Sequence, residues 1–323
     1  MDIDFHFGTI YVLSRWAGFR AENALTIATS SQFVDDNVPK VLEDHAGLRS
    51  FFRASGHGLV DNIKDIKHDF DVWVPFHFLP GLEGEYAYAR LICRKHSVMV
   101  KAVAERIRGL SLDGAAFNQQ VMELGILLHV YADTWAHQGF SGVLSQLNEV
   151  ENPRDIYPLP DAAERERNVW LHDRAPGLGH AQAIHWPDRP YASWKVLTKF
   201  PDGRANWDEF MEAAAYIYRL LSALQGNERE LDDVQRDMLL NGFQNTTAGD
   251  CEQRNRLWIQ RIGENAFGFD DFSERDLVGY SSSFILDDPD FCRAFYDALN
   301  EYYVWVRAGL EEQGVVWDDF IES

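Results

Sequence analysis

The segment His129-Val-Tyr-Ala-Asp133-Thr-Trp-Ala-His137 places three potential metal ligands four residues apart in a stretch of helical periodicity. At about 100° per residue, side chains with this spacing project from one face of a helix. The two histidine Cα atoms lie about 12 Å apart, too far to share one ion with bonds of about 2.0–2.1 Å. An aspartate between them can ligate on both sides, as in hydrolases whose two ions lie about 3.5–4 Å apart. The segment therefore predicts a metal site with more than one ion.

A structural role is the alternative interpretation of these residues, because a single helical histidine is more often packed or polar than metal-bound. The apolar run Leu124-Gly-Ile-Leu-Leu128 precedes the segment, so we expect the helix to be buried. A buried carboxylate is unfavourable unless it is paired or binds a metal ion. The apolar surroundings therefore favour metal binding.

Composition limits the class of protein. The 323 residues, 46% of them hydrophobic, suffice for one large domain or two ordinary ones. With 51 acidic and 30 basic residues the formal charge is −21, which repels nucleic acid and anionic membranes. We therefore expect no stable nucleic-acid partner. The three cysteines are widely spaced and indicate a reducing compartment rather than a disulfide framework.

The start of the sequence is not expected to be a cleavable signal peptide. The residues Met-Asp-Ile-Asp-Phe-His have neither the basic nor the apolar region of a signal peptide. No run of about 18 apolar residues is present, so we expect no transmembrane segment. The expected location is the cytoplasm, with export that needs no cleavable signal as the alternative.

Helical periodicity dominates the chain and predicts an all-α fold, a single multi-helix bundle-like domain over residues 1–323. The predicted helices are 8–18, 21–35, 84–108, 114–138, 206–226, 228–246, 250–266 and 289–313. Residues 1–200 carry the potential metal ligands, and 206–323 are expected to complete the bundle. The region of about 150–205 is rich in proline, glycine and tryptophan and is predicted to be a long ordered loop. No convincing strand ladder is predicted.

Four further places offer metal ligands. They are Asp4 and His6 near the N-terminus, Asp35 and Asp36 at the end of a helix, His77 among prolines and aromatics, and His180 in the loop. The alternatives are a frayed acidic terminus, a carboxylate–arginine pair at the helix end and a core histidine. All the donors are oxygen or nitrogen atoms, a set that suits zinc, with iron or manganese as alternatives.

The order of these residues resembles that of the zinc-dependent phospholipase C and fungal zinc-nuclease superfamily, all-helical enzymes with a three-zinc cluster. In that superfamily an N-terminal ligand precedes Asp, His, His-x3-Asp, a further His and finally His-x3-Glu. The matching residues here are Asp4 or His6, Asp35 or Asp36, His77, His129 with Asp133, His137 and His180. The Asp-Phe-His start and the His-x3-Asp-x3-His-Gln-Gly-Phe segment are similar to an uncharacterised bacterial branch. The resemblance spans roughly residues 1–200.

The resemblance implies two or three zinc ions. The first would be held by Asp35 or Asp36, His77, His129 and Asp133. The second would lie where Asp133 bridges towards Asp4 or His6. The third would lie at His137 and His180.

The chain departs from the superfamily pattern at three places. The histidine after Asp133 follows at a shorter distance. Ile184 stands where the closing glutamate is expected, so His185 or Asp188 would have to replace it. The secreted relatives use a mature N-terminal amine as a ligand, whereas this chain begins with Met1. Two ions are therefore better supported than three.

The implied reaction is hydrolysis of a phosphate ester or phosphodiester by metal-activated water. Asp133 would bridge the ions, and Asp35 or Asp36 would serve as the general base. Three loop residues are candidates for contact with substrate: Arg189, Trp186 and Tyr191. A structural ion pair is the alternative role of Arg189. The expected substrate is a small-molecule, lipid or nucleotide phosphoester.

Two other classes of protein fit parts of the sequence. His68-Asp69, together with His45, His129 and Asp133, is similar to the ligand set of HD-domain proteins, which include di-iron oxygenases. The charge of −21 also suits a non-enzymatic acidic helical binding protein with structural histidines. Bound iron would favour the first class, and folding that is unaffected by chelation would favour the second.

Overall fold

The computed structural model describes residues 1–38, 53–56 and 70–316, and this part of the chain is mostly helical. Its α-helices are α1 (Ile10–Ala17), α2 (Ala21–Asp36), α3 (Ala87–Arg90), α4 (Val98–Arg108), α5 (Phe117–Ala136), α6 (Ala162–His172), α7 (Asn206–Leu224), α8 (Asp233–Asn245), α9 (Cys251–Gly263), α10 (Ser283–Leu286) and α11 (Pro289–Glu312). Two segments are π-helical, Asp4–Thr9 and Trp73–His77. Short 3₁₀ turns are Gly114–Ala116, Gln146–Asn148, Ala181–Ala183, Trp186–Asp188 and Glu274–Asp276. His45, His68 and Asp69 lie outside the described residues.

Helix α5 is the central element of the fold. Every residue from Val121 to Ala136 is buried, as is typical of a helix that is apolar on all sides. It packs against α2, α7 and α11, and the side chains of these helices form one large core. Polar residues in this part of α5, including His129 and Asp133, are therefore held in the interior. Over the described residues, none of the helices has the length and apolar character needed to cross a bilayer.

Gly125 sets the distance between α5 and α2. A Cβ atom at this position would lie 2.5 Å from the carbonyl oxygen of Ile27 and 2.6 Å from the Cβ atom of Ser30. Atoms do not approach this closely, so the two helices require glycine here. Their close packing brings Asp35, at the end of α2, to within 3.8 Å of His129.

Residues 150–205 contain a small sheet, which corrects the expectation of an all-α fold with one long loop. Strands β1 (Arg154–Tyr157), β2 (Ser193–Val196) and β3 (Phe200–Ala205) pair antiparallel in the order β1-β2-β3. Trp194 and Val196 point inward from β2, while the two residues that alternate with them are only partly buried. A strand of four residues offers too few alternations to stand out in the sequence.

This region forms a second, smaller hydrophobic core. Its members include Phe78, Phe140, Trp186, Tyr191 and Trp194. Trp186 and Trp194 are each 1% exposed, and the region packs these rings together with Phe78 and Phe140, which lie outside it. Phe140 follows shortly after α5, and the second core therefore holds residues 180–188 against the end of that helix.

Several predicted helices have different bounds in the structure. The predicted helix 84–108 is divided into α3 and α4 by a turn, because Ser97 caps α4 by accepting a hydrogen bond from the Val100 amide. The predicted helix 228–246 begins only at Asp233, where Asp232 and Gln235 form a reciprocal capping box. Local capping therefore decided where these helices begin.

Replacing Gly125 with alanine is expected to destabilise the protein by about 1–3 kcal/mol, because the new methyl group would press on the backbone of α2. Urea denaturation followed by circular dichroism measures the change. Gly309→Ala, in the interior of α11, is the matched control. A Cβ atom there would meet the Cε atom of Met99 at an ordinary 3.5 Å, and alanine is the better helix former. Equal stability changes in the two variants would contradict the close-packing account.

Candidate metal centre

Helix α5 and the residue that follows it supply three side chains to one buried cluster. His129 is fully buried, Asp133 is 1% exposed and His137 is 4% exposed. His137 ends the helix, and its amide donates to the carbonyl of Asp133 at 2.8 Å. The spacing of four residues keeps the three side chains on one face of the helix.

The two π-helical segments each supply a further histidine. His6 lies within Asp4–Thr9, and His77 is the last residue of Trp73–His77. Both imidazoles are buried. A π-turn is wider than an α-turn, so it rotates the side chains that follow it, and such turns are frequent at functional sites.

The first group of donor atoms forms a cage. His77 Nδ1 lies 3.3 Å from His129 Nε2, and each of these nitrogens lies 3.3 Å from Asp133 Oδ2. Asp35 Oδ1 completes it, 3.6 Å from His77 Nδ1 and 3.8 Å from His129 Nε2. A tetrahedral zinc ion with bonds of about 2.0–2.1 Å has ligand atoms about 3.3–3.4 Å apart. The three distances among His77, His129 and Asp133 match this spacing, and Asp35 lies a few tenths of an ångström further out, so the group has the donor types and nearly the dimensions of a zinc site.

The second oxygen of Asp133 faces another group of donors. His6 Nε2 lies 3.1 Å from Asp133 Oδ1 and 4.0 Å from Asp35 Oδ2. The α-ammonium group of Met1 also lies here, 2.5 Å from Asp133 Oδ1 and 3.3 Å from Asp188 Oδ1, as a counter-charge rather than a metal ligand. Asp133 thus directs one oxygen to each group, which is the arrangement of a bridging carboxylate.

His137, His180 and Asp188 form the third group. Asp188 Oδ1 lies 3.0 Å from His137 Nε2, and Asp188 Oδ2 lies 3.1 Å from His180 Nε2. His185 instead directs its Nε2 towards Glu164, at 3.8 Å. Asp188, rather than His185, is therefore the residue that joins the two histidines.

Backbone carbonyl groups orient three of these imidazoles. His77 Nε2 donates to the Ser55 carbonyl at 2.7 Å. His137 Nδ1 donates to the His77 carbonyl at 2.7 Å, and His180 Nδ1 to the Ile184 carbonyl at 2.8 Å. A neutral imidazole donates through one nitrogen only, so the nitrogen that faces the carboxylates carries a lone pair. Metal-binding histidines are typically held in this way.

The carbonyl that orients His180 belongs to a strained residue. Ile184 has a φ angle of +59°, which is rare for a β-branched side chain. Such strain persists only where the surrounding structure imposes it, and it is concentrated at functional sites.

Burial keeps most of the clustered histidines neutral at neutral pH. It lowers the pKa of His129 to about 4 and holds the pKa of His6 well below its usual value. Burial also lowers the pKa of His137. At His180 the effect of burial is outweighed by the charge of Asp188, and the pKa is raised. The neutral imidazole is the form that binds metal ions.

The three carboxylates of the cluster have little positive charge around them. Within the described residues, no lysine or arginine nitrogen lies within 4.0 Å of Asp35, Asp133 or Asp188. Burial and the charge of Asp133 raise the pKa of Asp35 well above its usual value. Burial also opposes ionisation of Asp133, but His137 and the Met1 amino group hold its pKa well below the usual value. Asp35 is 30% exposed and Asp188 16%, whereas Asp133 is 1% exposed and requires a compensating cation.

The Met1 amino group supplies only part of that charge. Burial lowers its pKa, but the charges of Asp133 and Asp188 outweigh this and raise the pKa to about 11. The ammonium group contacts Asp133 and Asp188 but not Asp35, so one side of the cluster has no counter-charge and the donor set as a whole favours divalent cations.

The cluster opens onto a cleft of about 720 Å³. Five of its residues line the cleft: Asp35, His77, His137, His180 and Asp188. The other lining residues are Met1, Asp2, Ile3, Gln32, Asp36, Trp73, Cys251, Glu252, Asn255, Arg256 and Tyr280. Within the part of the chain that the structure describes, Arg256 is the one lysine or arginine on this lining.

Asp4 and Asp36 lie outside the three donor groups. Asp4 is fully buried and accepts a hydrogen bond from Arg254 Nε at 3.1 Å. Of the two N-terminal candidates, Asp4 and His6, it is therefore His6 that lies at the cluster. Asp36 lines the cleft near Tyr280 and accepts a hydrogen bond from Gln32 at 3.4 Å. Asp35 is therefore the carboxylate of its pair that reaches the histidines.

The three residues expected to contact substrate do not line the cleft. Arg189 is 6% exposed and donates to Glu164 at 2.8 Å, so its interaction is the structural ion pair. Its guanidinium also lies over Trp186, 5.0 Å from the ring centroid. Trp186 and Tyr191 belong to the second core, where burial of their rings leaves no surface for a ligand.

Three features of the site have no signature in the sequence. The Ser55 carbonyl is a backbone group, and the strain at Ile184 is a matter of backbone conformation. Arg254 is fully buried, but in the polar sequence of α9 nothing distinguishes it from the exposed Arg256 two residues later.

The chain belongs to a family of unknown function, DUF6765, whose family model covers residues 1–306. No curated protein matches the sequence. No solved structure matches it either. The matched range includes every residue of the three donor groups, so the whole cluster lies within the region that defines the family.

Replacing Asp133 with asparagine is expected to remove most of the bound metal. The neutral asparagine side chain lacks the negative charge with which the Asp133 carboxylate would bind an ion on each of its two sides. After dialysis against metal-free buffer, elemental analysis should show at least two divalent ions per wild-type chain and at least one fewer in the variant. Asp276→Asn is the control, since Asp276 is equally buried but pairs with Arg15, away from the cluster. Equal metal content in all three proteins would contradict the proposed bridge.

In the chelated protein, stability should fall as the pH falls from about 6.5 to about 4. The folded protein holds the pKa of His129 at about 4, whereas the unfolded chain titrates near 6.5 and binds more protons in this window. Between about pH 4 and about pH 6.5 this difference in proton binding makes the free energy of unfolding increase with pH. The contribution of His129 to that free energy is complete above about pH 6.5 and amounts to at most about 3 kcal/mol. Urea denaturation at several pH values measures the slope, which His129→Gln should reduce. A stability that is flat or rises on acidification would contradict this assignment.

Proposed function

We propose that the protein is a metal-dependent hydrolase of phosphodiesters with two or three divalent ions. The observation that carries the proposal is the cage formed by Asp35, His77, His129 and Asp133, in which three of the contacts between donor atoms are 3.3 Å. Zinc is the preferred ion for such borderline nitrogen and oxygen donors, and iron or manganese are the alternatives.

The resemblance to the zinc-dependent phospholipase C and zinc-nuclease superfamily supports the same function. The first donor group consists of the side chains that the resemblance implies for the first ion. Asp133 directs its other oxygen to His6, as implied for the second ion, and Asp188 joins His137 and His180 where the superfamily has a glutamate. Membership of the superfamily is part of the proposal.

Divalent ions held by these groups would lower the pKa of a bound water towards about 7 and neutralise charge on a phosphate. The protein contributes the orientation of the ligands, since the carbonyl groups that hold His77, His137 and His180 fix their lone pairs in advance. Asp133 holds the first two groups at a fixed separation. Preorganisation of this kind means that no rearrangement is needed during the reaction.

Asp36 is the candidate for proton transfer in this scheme. Its carboxylate lines the cleft beside Asp35 but belongs to none of the donor groups, so it stays available to a water or a leaving group. Asp35, by contrast, is committed to the first group and would act as a ligand. The general base expected at either position is therefore assigned to Asp36.

The charge of the cleft limits the class of substrate. Asp2, Asp36 and Glu252 line it, and the whole chain has a formal charge of −21. A polyanion such as nucleic acid would be repelled at long range. A small phosphodiester carries one negative charge, which the ions and Arg256 would attract. We therefore propose a small-molecule, lipid-headgroup or nucleotide diester rather than a polymer.

Hydrolysis of bis(p-nitrophenyl) phosphate by the zinc-loaded protein tests this function, with p-nitrophenyl phosphate as the monoester comparison. We expect the diester to be cleaved, the rate to fall by at least about 100-fold in Asp133→Asn, and Asp276→Asn to retain activity. Iron in place of zinc after purification would redirect the search to oxygen chemistry. A fully metal-loaded protein that cleaves neither ester would contradict the hydrolase proposal and leave a metal-binding protein without this activity.

A further inference from the structure

Arg254 of α9 is a fully buried arginine whose two carboxylate partners belong to the N-terminal segment. Its Nε donates to Asp4 Oδ2 at 3.1 Å, and its Nη2 donates to Asp2 Oδ2. Its Nη1 donates to the carbonyl groups of Ala248 at 2.8 Å and Gly249 at 3.3 Å. The guanidinium is thus fixed on one side by the loop before α9 and on the other side by two carboxylates.

Those two carboxylates belong to residues that lie between Met1 and His6, the two residues that contact Asp133 Oδ1. The carbonyl of Asp2 accepts hydrogen bonds from the amides of Phe5 at 2.9 Å and His6 at 3.1 Å, and the Asp2 amide donates to the Asp188 carbonyl at 3.3 Å. Asp4 begins the π-helical segment that contains His6. A displacement of Asp2 and Asp4 would therefore move the His6 imidazole relative to Asp133.

The planar guanidinium group of Arg254 is suited to holding Asp2 and Asp4 in fixed positions. Arg254 makes its contacts in several directions at once, and a rigid fork of donors can satisfy two carboxylates and two carbonyl groups together. Gly249 is held a second time, because its carbonyl also accepts from Arg189 Nη2 at 3.3 Å. The loop that supports Arg254 is therefore itself fixed. The first donor group contains neither Asp2 nor Asp4, and among the described residues no hydrogen bond or ion pair joins it to Arg254.

We infer that Arg254 is a positioning residue that holds His6 in place for the second metal ion. The inference rests on the proposed metal-dependent function. Loss of the arginine fork would weaken binding at the second donor group and leave an ion in the cage of Asp35, His77, His129 and Asp133.

Titration of the chelated full-length protein with zinc tests the inference, with Arg254→Lys compared to Arg15→Lys. Arg15 is a matched control because it is also buried and also pairs with two carboxylates, Asp271 and Asp276. We expect Arg254→Lys to bind one zinc ion about 10–100-fold more weakly while another keeps its wild-type affinity. Arg15→Lys should reproduce the wild-type isotherm.

A second comparison shows whether Arg254 acts through His6. Adding Arg254→Lys to His6→Ala should weaken zinc binding no further than His6→Ala alone, whereas independent effects would add. If Arg254→Lys does not fold, the protein with Arg254→Met, Asp2→Asn and Asp4→Asn removes all three charges together and is titrated instead, with the same expectation.

The outcomes separate this inference from the proposed function. A wild-type protein that binds no zinc overturns both. If the wild-type protein binds zinc, three results would overturn only the role of Arg254. They are an unchanged isotherm in Arg254→Lys, equal weakening at every ion, and effects that add to those of His6→Ala.

Discussion

The burial of Asp133 among histidines is the constraint on which the rest of the structure depends. A carboxylate in the last turn of a buried helix is tolerated only if it is paired with a positive charge or binds a metal ion. Here one oxygen faces His77 and His129, while the other faces His6 and the Met1 amino group. The convergence requires segments from the N-terminus, from residues 73–77 and from α5 to meet at one point.

The fold meets this requirement by fixing each ligand through backbone packing. Gly125 lets α2 approach α5, and the approach carries Asp35 to the cluster. The second core holds residues 180–188 over the end of α5, where Asp188 joins His137 and His180. The small sheet therefore has a positional role: it stabilises the region that closes the third donor group.

The sequence predicted the parts of the site that depend on local periodicity. The spacing of His129 and Asp133 identified the central helix, and its apolar neighbours indicated burial. The choice of His6 over Asp4 could not be predicted, because it depends on a π-turn and on a distant arginine. Arg189, Trp186 and Tyr191 looked like a binding surface, but the two aromatic rings pack a second core and Arg189 pairs with Glu164. The strands beside this core are too short to show a pattern. Contacts between segments far apart in the chain decided these points.

Crystallography with anomalous scattering at the zinc edge, on protein purified without chelator, tests the central claim most directly. The account predicts two anomalous peaks within bonding distance of Asp133, one beside each carboxylate oxygen, with the first inside the cage of His77, His129 and Asp35. A cluster without any peak, in crystals grown with excess zinc, would contradict the account and leave the histidines as structural residues.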